Sequence, residues 1–134
     1  LACLALVDSV SVQLGVSRVS IGWKKSDYVE VVAISGLESF DKNTEAIKEV
    51  ESLCEEAIDQ EHLLNLPTDE GRQDRVMHNH NRYKKSKGLH QVVSIPFEAE
   101  GIPVGVVTIE QSEERLVDDQ LNLLLIAYCS NLIR

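Results

Sequence analysis

Residues 95–111 read IPFEAEGIPVGVVTIEQ. Val93, Ile95 and Phe97 share one side of the first run. In the second, Val104, Val106 and Thr108 alternate with Gly105, Val107 and Ile109. Period-two alternation on either side of Glu98-Ala99-Glu100-Gly101 predicts a β-hairpin closed by that turn.

Working outward, residues 1–14 carry Leu4, Val7, Val10 and Leu14 at helical spacing, and Gly15 is placed to end the helix. VSRVSIGWKK (16–25) puts Val19, Ile21 and Trp23 on one face of a strand. Ser26-Asp27 turns the chain, and YVEVVAIS (28–35) is the antiparallel partner. From Thr44 to Glu61, Ile47, Val50, Leu53, Cys54, Ala57 and Ile58 form one stripe, an amphipathic helix capped by Asn43 or Thr44. Residues 65–91 lack a clean period, although DRVMHNHNRYKKSKG suits a short helix with Val76, Met77 and Tyr83 inward. A third short strand within 72–90 is expected to tie the two hairpins into one sheet. Asp118 or Asp119 caps a closing helix, whose first stripe is Leu121, Leu124, Leu125, Tyr128 and Leu132. Its second is Leu123, Ile126, Ala127 and Ile133. The order predicts an α+β domain: an antiparallel sheet with terminal helices on one face and a helix-and-loop insertion on the other.

A chain of 134 residues makes one domain with a core of its own. Its net charge of −9 repels phosphate backbones, so nucleic acid is not an expected partner. No apolar run approaches the ~20 residues of a membrane span, so direct membrane insertion is not expected, and no signal-peptide pattern is present. The three cysteines, Cys3, Cys54 and Cys129, lie far apart among apolar neighbours and read as buried thiols of a reducing compartment. With Leu first and the only Met at 77, the chain reads as a fragment of a longer protein.

VSIPFEAEGIPVGVVTIE (93–110) resembles the paired last strands of GAF domains, where a hydrophobic–Pro–hydrophobic strand end, a Gly turn and a hydrophobic–Gly–hydrophobic start recur. The likeness spans the chain and implies a GAF-like, profilin- or PAS-like sheet, with Gly105 allowing close approach across the sheet or into a ligand cavity. More narrowly, RVSIGW, AIS, FD, EEAIDQ and GVVTIE are similar to the GAF domains ahead of the membrane segment in bacterial HlyD-type membrane fusion proteins. The resemblance implies a cytoplasmic, non-enzymatic sensory or regulatory module of a bacterial, membrane-associated multidomain protein, which binds a small ligand or dimerises. An alternative is a thiol oxidoreductase or hydrolase using Cys54 or the His pair; another is a structural dimerisation unit without ligand. SFDKNTE does not match the family's cyclic-nucleotide signature, no Cys-His pair exists for bilin attachment, and the spaced cysteines of the sulfoxide-reducing members are absent. No cofactor is expected.

If a ligand site exists, it is expected between the sheet and the 40–91 insertion. Ser20, Ile34, Ser94 and Val107 would line it from the strands and Leu53 or Tyr83 from the insertion. Arg72 and Arg75 are the nearest cations, suiting a small anionic or neutral metabolite. His78 and His80 in MHNHN read as an exposed polar loop rather than a metal site. Glu55, Asp59 and His62, surrounded by other acids, read as a solvated helix face. Trp23, Tyr28, Phe40, Tyr83 and Phe97 are expected in the core. Acid concentrates in 38–70 and base in 72–87; the basic run either faces an anionic ligand or partner, lies against the acidic middle helix, or is solvated. The surplus apolar stripe of the closing helix (Leu123, Ile126, Ala127, Ile133), with Leu4 of the first helix, predicts a homodimer through terminal helices.

Overall fold

The computed structural model describes residues 2–115 and 117. In chain order the elements are α1 (Ala2–Leu14), β1 (Arg18–Lys24), β2 (Val29–Ile34), α2 (Glu45–Gln60), β3 (Leu64–Leu66), α3 (His78–Lys87), β4 (Gln91–Ala99) and β5 (Ile102–Gln111). The closing helix expected beyond Asp119 lies outside the described residues. The strands form one sheet in the order β2-β1-β5-β4-β3, with every pair antiparallel.

The hairpins join directly, β1 lying on β5 from Arg18↔Glu110 to Trp23↔Gly105. The strand expected within 72–90 is thus corrected. The short extra strand is β3, which extends the far edge against β4, and residues 78–87 are helix. Three residues are too few to display a period, which hid β3 from sequence inspection. The β4–β5 loop is tighter than the four-residue turn expected. Ala99 pairs with Ile102, leaving Glu100 and Gly101 at φ 53° and 79°, the two positive-φ positions of a type I′ turn.

Alternation sends Val19, Ile21, Val93, Ile95, Phe97, Val107 and Ile109 to the α1 side, and Val29, Val31, Ile34, Val92 and Val106 to the α2 side. Against the latter, α2 buries Ile47, Val50, Leu53, Cys54, Ala57 and Ile58, worth ~1.5–3 kcal/mol for each larger side chain. Thr44 caps the helix, its Oγ1 accepting from the Ile47 amide at 3.4 Å. Gly105 belongs to the α1 side. A Cβ there would stand 2.4 Å from Phe97 Cζ and 2.7 Å from the Gly22 carbonyl oxygen. The glycine makes room for the Phe97 ring, which packs edge-on against Trp23 at 5.5 Å, and not for a ligand.

The acidic face of α2 is more specific than a solvated exterior. Glu51 accepts from the Val31 amide at 2.9 Å and Glu55 from the Val29 amide at 3.5 Å. Two carboxylates thus block the outer edge of β2, whose unpaired N–H groups would otherwise invite another strand. Two inward expectations also fail: Tyr28 is 50 % and Val76 53 % exposed, whereas Met77 and Tyr83 are buried.

Candidate functional site

The α2 side of the sheet carries one line of polar side chains through an otherwise apolar layer. Ser20 on β1 opposes Thr108 on β5, and Thr108 opposes Ser94 on β4. The three hydroxyls therefore form a row across the central strands, each fully buried. Ser94 Oγ lies 3.0 Å from Thr108 Oγ1, and the Cys54 thiol of α2 is 3.6 Å from that same oxygen. On the other side Ser94 Oγ is 2.7 Å from His80 Nε2, and His80 Nδ1 is 2.7 Å from Glu56 Oε1.

Helix capping explains why a glutamate and a histidine are buried here. Met77, at the N-cap of α3, supplies no side-chain acceptor. Glu56 supplies both oxygens from α2, accepting from the amides of Asn79 at 2.8 Å and His80 at 3.0 Å. A carboxylate suits the positive end of a helix. Burial alone would raise the Glu56 pKa, but hydrogen bonds from the His80 side chain and these two amides outweigh it and hold the carboxyl below its ordinary range.

An ionised carboxylate only accepts, which orients the rest. Nδ1 of His80 donates to Glu56; in the tautomer that carries its one proton there, Nε2 accepts from Ser94. In that tautomer Ser94 accepts from Thr108 and Thr108 from the Cys54 thiol, so that every proton along the line points toward Glu56. The far end differs: Ser20 Oγ is buried and has no hydrogen-bonding partner among the described residues. Such an orphan costs ~1–3 kcal/mol and marks a position suited to a water or a ligand's polar atom.

Ser94, His80 and Glu56 have the spacing of a nucleophile, its base and an orienting acid. The surroundings do not suit attack. Ser94 and His80 are fully buried, and Ser94 Oγ is already hydrogen-bonded to Thr108 Oγ1. Burial pushes the Cys54 thiol up to about 12, the Thr108 contact offsetting only part of this, so no thiolate forms near neutral pH. The line is built to hydrogen-bond.

A second network closes the edge beside it. Arg18 Nε meets Glu110 Oε2 at 2.8 Å, while Tyr83 donates to Glu110 Oε1 and accepts from Arg18 Nη2, both at 2.8 Å. Burial, then the Glu110 charge, raises the Tyr83 pKa. On the outer side of Glu56 lies a surface cleft of about 370 Å³ walled by Glu55, Asp59, Gln60 and Asn79. Burial, then the charges of Asp59, Glu51 and Asp27, raises the Glu55 pKa against the opposing Val29 hydrogen bond.

Of the residues expected to line a site, Ser20, Ile34, Leu53 and Ser94 come together on the α2 side. Tyr83 belongs to the Arg18–Glu110 network at its margin. Val107 faces α1, because one step along a strand changes face. Arg72 and Arg75 do not reach the hydroxyl row. Both bind Asp74 at 2.8 Å on the β3–α3 loop and wall a surface cavity of about 290 Å³. Leu4 is half-buried against the α1-side core; Leu123, Ile126, Ala127 and Ile133 lie outside the described residues. His80 is a buried helix residue rather than part of an exposed loop, whereas His78 is exposed. Sequence reasoning missed Glu56, His80 and Thr108. The available signals were Glu56 inside the apolar stripe Leu53-Cys54-Ala57-Ile58, and hydroxyls at alternate positions of apolar strands.

A family model described as GAF domain matches residues 2–130. Among curated protein sequences none matches the chain. Solved structures share the fold. The phycoerythrobilin-bound GAF domain of a cyanobacterial phytochrome aligns at TM-score 0.62 and 18% identity, over 96% of this chain and 79% of that one. A domain of a two-component sensor histidine kinase protein from Sinorhizobium meliloti 1021 aligns at TM-score 0.67 and 14% identity, over 98% and 88%. The chromophore-binding domain of the bacteriophytochrome RpBphP3 from R. palustris aligns at TM-score 0.66 and 17% identity over 98% of this chain, which spans only 54% of that one. The described cysteines do not fit covalent attachment of a bilin. Cys54 is fully buried with its thiol protonated, and Cys3 is on α1, across the sheet from the hydroxyl row.

Proposed function

The chain belongs to the GAF domain family, and on that premise we propose that it is a non-catalytic sensory module taking a small ligand on the α2 side of the sheet. The carrying observation is the hydroxyl row ending in Ser20, whose buried Oγ has no partner among the described residues. Ser20, Ile34, Leu53 and Ser94 would face the ligand's body, with Tyr83 at the margin. Entry requires α2 to lift from the sheet, because its apolar stripe packs on the strands. Lifting α2 also releases Glu51 and Glu55 from β2 and Glu56 from α3. One binding event thereby reaches an edge strand and a second helix. Native mass spectrometry of domain purified from bacterial cells tests this: a non-covalent small-molecule mass is expected, and the bare chain alone would count against it.

The output we propose is a homodimer through the terminal helices, with Leu4, Leu123, Ile126, Ala127 and Ile133 in the contact. Apolar surplus on α1 supports it, Val12 being 81 % exposed. Light scattering should give twice the chain mass, falling to one with Ile126→Glu. The likeness of RVSIGW, EEAIDQ and GVVTIE to HlyD-type proteins supports a place in the cytoplasmic part of a bacterial membrane fusion protein. Among the described residues no helix is long and apolar enough to cross a membrane.

A further inference from the structure

The basic run 72–87 has no part in the hydroxyl row. It holds Arg72, Arg75, Arg82, Lys84, Lys85 and Lys87 against the single carboxylate of Asp74, a surplus of five. The whole chain has a net charge of −9, so the remainder carries −14. This segregation is not cancelled by internal pairing. Arg72 and Arg75 share Asp74 and Lys87 meets Glu49. Among the described residues no ion pair involves Arg82, Lys84 or Lys85.

The fold turns this run into a groove. His80 and Tyr83 take α3's buried face, leaving His78, Asn81 and Lys85 exposed on the outer one and Lys84 half-buried at its margin. Two cavities, of about 290 and 470 Å³, open there and share Glu70 and Asn81 in their walls. Arg75 and His78 wall the first, and Lys84 and Lys85 the second. Leu66 and Met77 contribute apolar surface at one end and Leu89 at the other. Arg75 Nε, shut from solvent beside the first cavity, has no acceptor among the described residues.

We propose that this outer groove, between the β3–α3 loop and α3, binds a small, multiply charged phosphate-type anion, independently of any ligand on the α2 side of the sheet. Two arguments select that class. Of the arginines in the groove wall, Arg72 is bidentate on Asp74 and Arg75 reaches the same carboxylate through Nη1, so the cations that no carboxylate there engages are the lysine point charges, which suit phosphate. Size decides the rest. Screening confines the basic field to roughly 8 Å at physiological salt, so a compact anion can sit at Lys84 and Lys85 with Glu70 as the one carboxylate in that cavity's wall, whereas nucleic acid or an anionic membrane would extend onto the acidic remainder. Glu70 sets the polarity: the phosphate lies toward the lysines, and an uncharged or donor group toward Glu70.

Calorimetric titration with inorganic pyrophosphate at physiological ionic strength tests the assignment. Wild type is compared with Lys84→Ala/Lys85→Ala and with Lys24→Ala/Lys25→Ala, which removes the same charge from the β1–β2 turn; circular dichroism confirms that each is folded. Saturable binding should weaken about tenfold or more in the Lys84/Lys85 variant, against about twofold or less in the control. Absence of binding up to about 10 mM, beyond the usual range of specific affinity, overturns the proposal. Equal weakening in both variants does so too, since net charge alone would then govern binding.

Discussion

Glu56 on α2 holds His80 on α3 twice, accepting from its ring Nδ1 at 2.7 Å and from its backbone amide at 3.0 Å. One buried carboxylate therefore caps a helix and fixes the tautomer at the head of the hydroxyl row. Removing it strands three donors, those on Asn79 N, His80 N and His80 Nδ1. Glu56→Ala should cost several kcal/mol, at ~1–3 kcal/mol for each buried donor left unsatisfied, read from urea denaturation.

The same contact carries a pH dependence. The Glu56 carboxyl is held below its ordinary value of 4.5 in the folded chain. Its contribution is therefore complete above the unfolded value and is lost as pH falls through the folded one. Stability measured downward from pH 6 should decline steeply in wild type and more gently in Glu56→Gln, whose baseline is already lower. Parallel pH profiles would remove Glu56 from this role.

Two hydroxyls in the same row should respond oppositely to deletion. Ser94→Ala leaves His80 Nε2 and Thr108 Oγ1 short of a partner and should cost ~1–3 kcal/mol. Ser20→Ala removes an oxygen without a partner and should be neutral or stabilising by up to ~1 kcal/mol. Denaturation midpoints decide; equal losses would mean that Ser20 is satisfied like the rest.

Gly105→Ala should destabilise by ~1–3 kcal/mol through overpacking, because its new Cβ meets Phe97 and the Gly22 carbonyl. Shortening the ring in Phe97→Leu should recover part of the loss. An unchanged midpoint in the single variant would show that the strand can shift at no cost.

Much of the architecture was legible because it rests on periodicity. Both hairpins, the α2 stripe and the Thr44 cap follow from alternation, from 3.6-residue spacing and from local capping chemistry. The site was less so. Glu56 reads as one more acid on an acidic helix until α3 is seen to bring two bare amides against it. Thr108 and Ser94 become a row only once β1–β5 and β4–β5 register is known. Val107 was misplaced because a list of strand residues does not say which face holds the ligand. Arg72 and Arg75 were drawn toward the sheet by proximity in sequence, whereas Asp74 between them keeps both at the surface.

Cys54 tests the thiol-enzyme alternative. Fully buried and with a thiol pushed up to about 12, it should resist iodoacetamide in the native state and label at once in urea, whereas partly exposed Cys3 labels in both. Peptide-resolved mass spectrometry reads each site. Rapid native labelling of Cys54 would favour that alternative.

The proposal that a small ligand reaches the unpartnered end of the hydroxyl row is tested most directly by thermal unfolding of wild type and Ser20→Val. Each is melted in buffer and in the low-molecular-mass fraction of a bacterial lysate. A ligand that binds only the folded chain raises its melting temperature by mass action. Wild type should rise by several degrees, ~4 °C per kcal/mol for a domain of this size, while Ser20→Val, shown to be folded by circular dichroism, should stay within about 1 °C of its own buffer value. No rise in wild type, or the same rise in both proteins, would contradict the account.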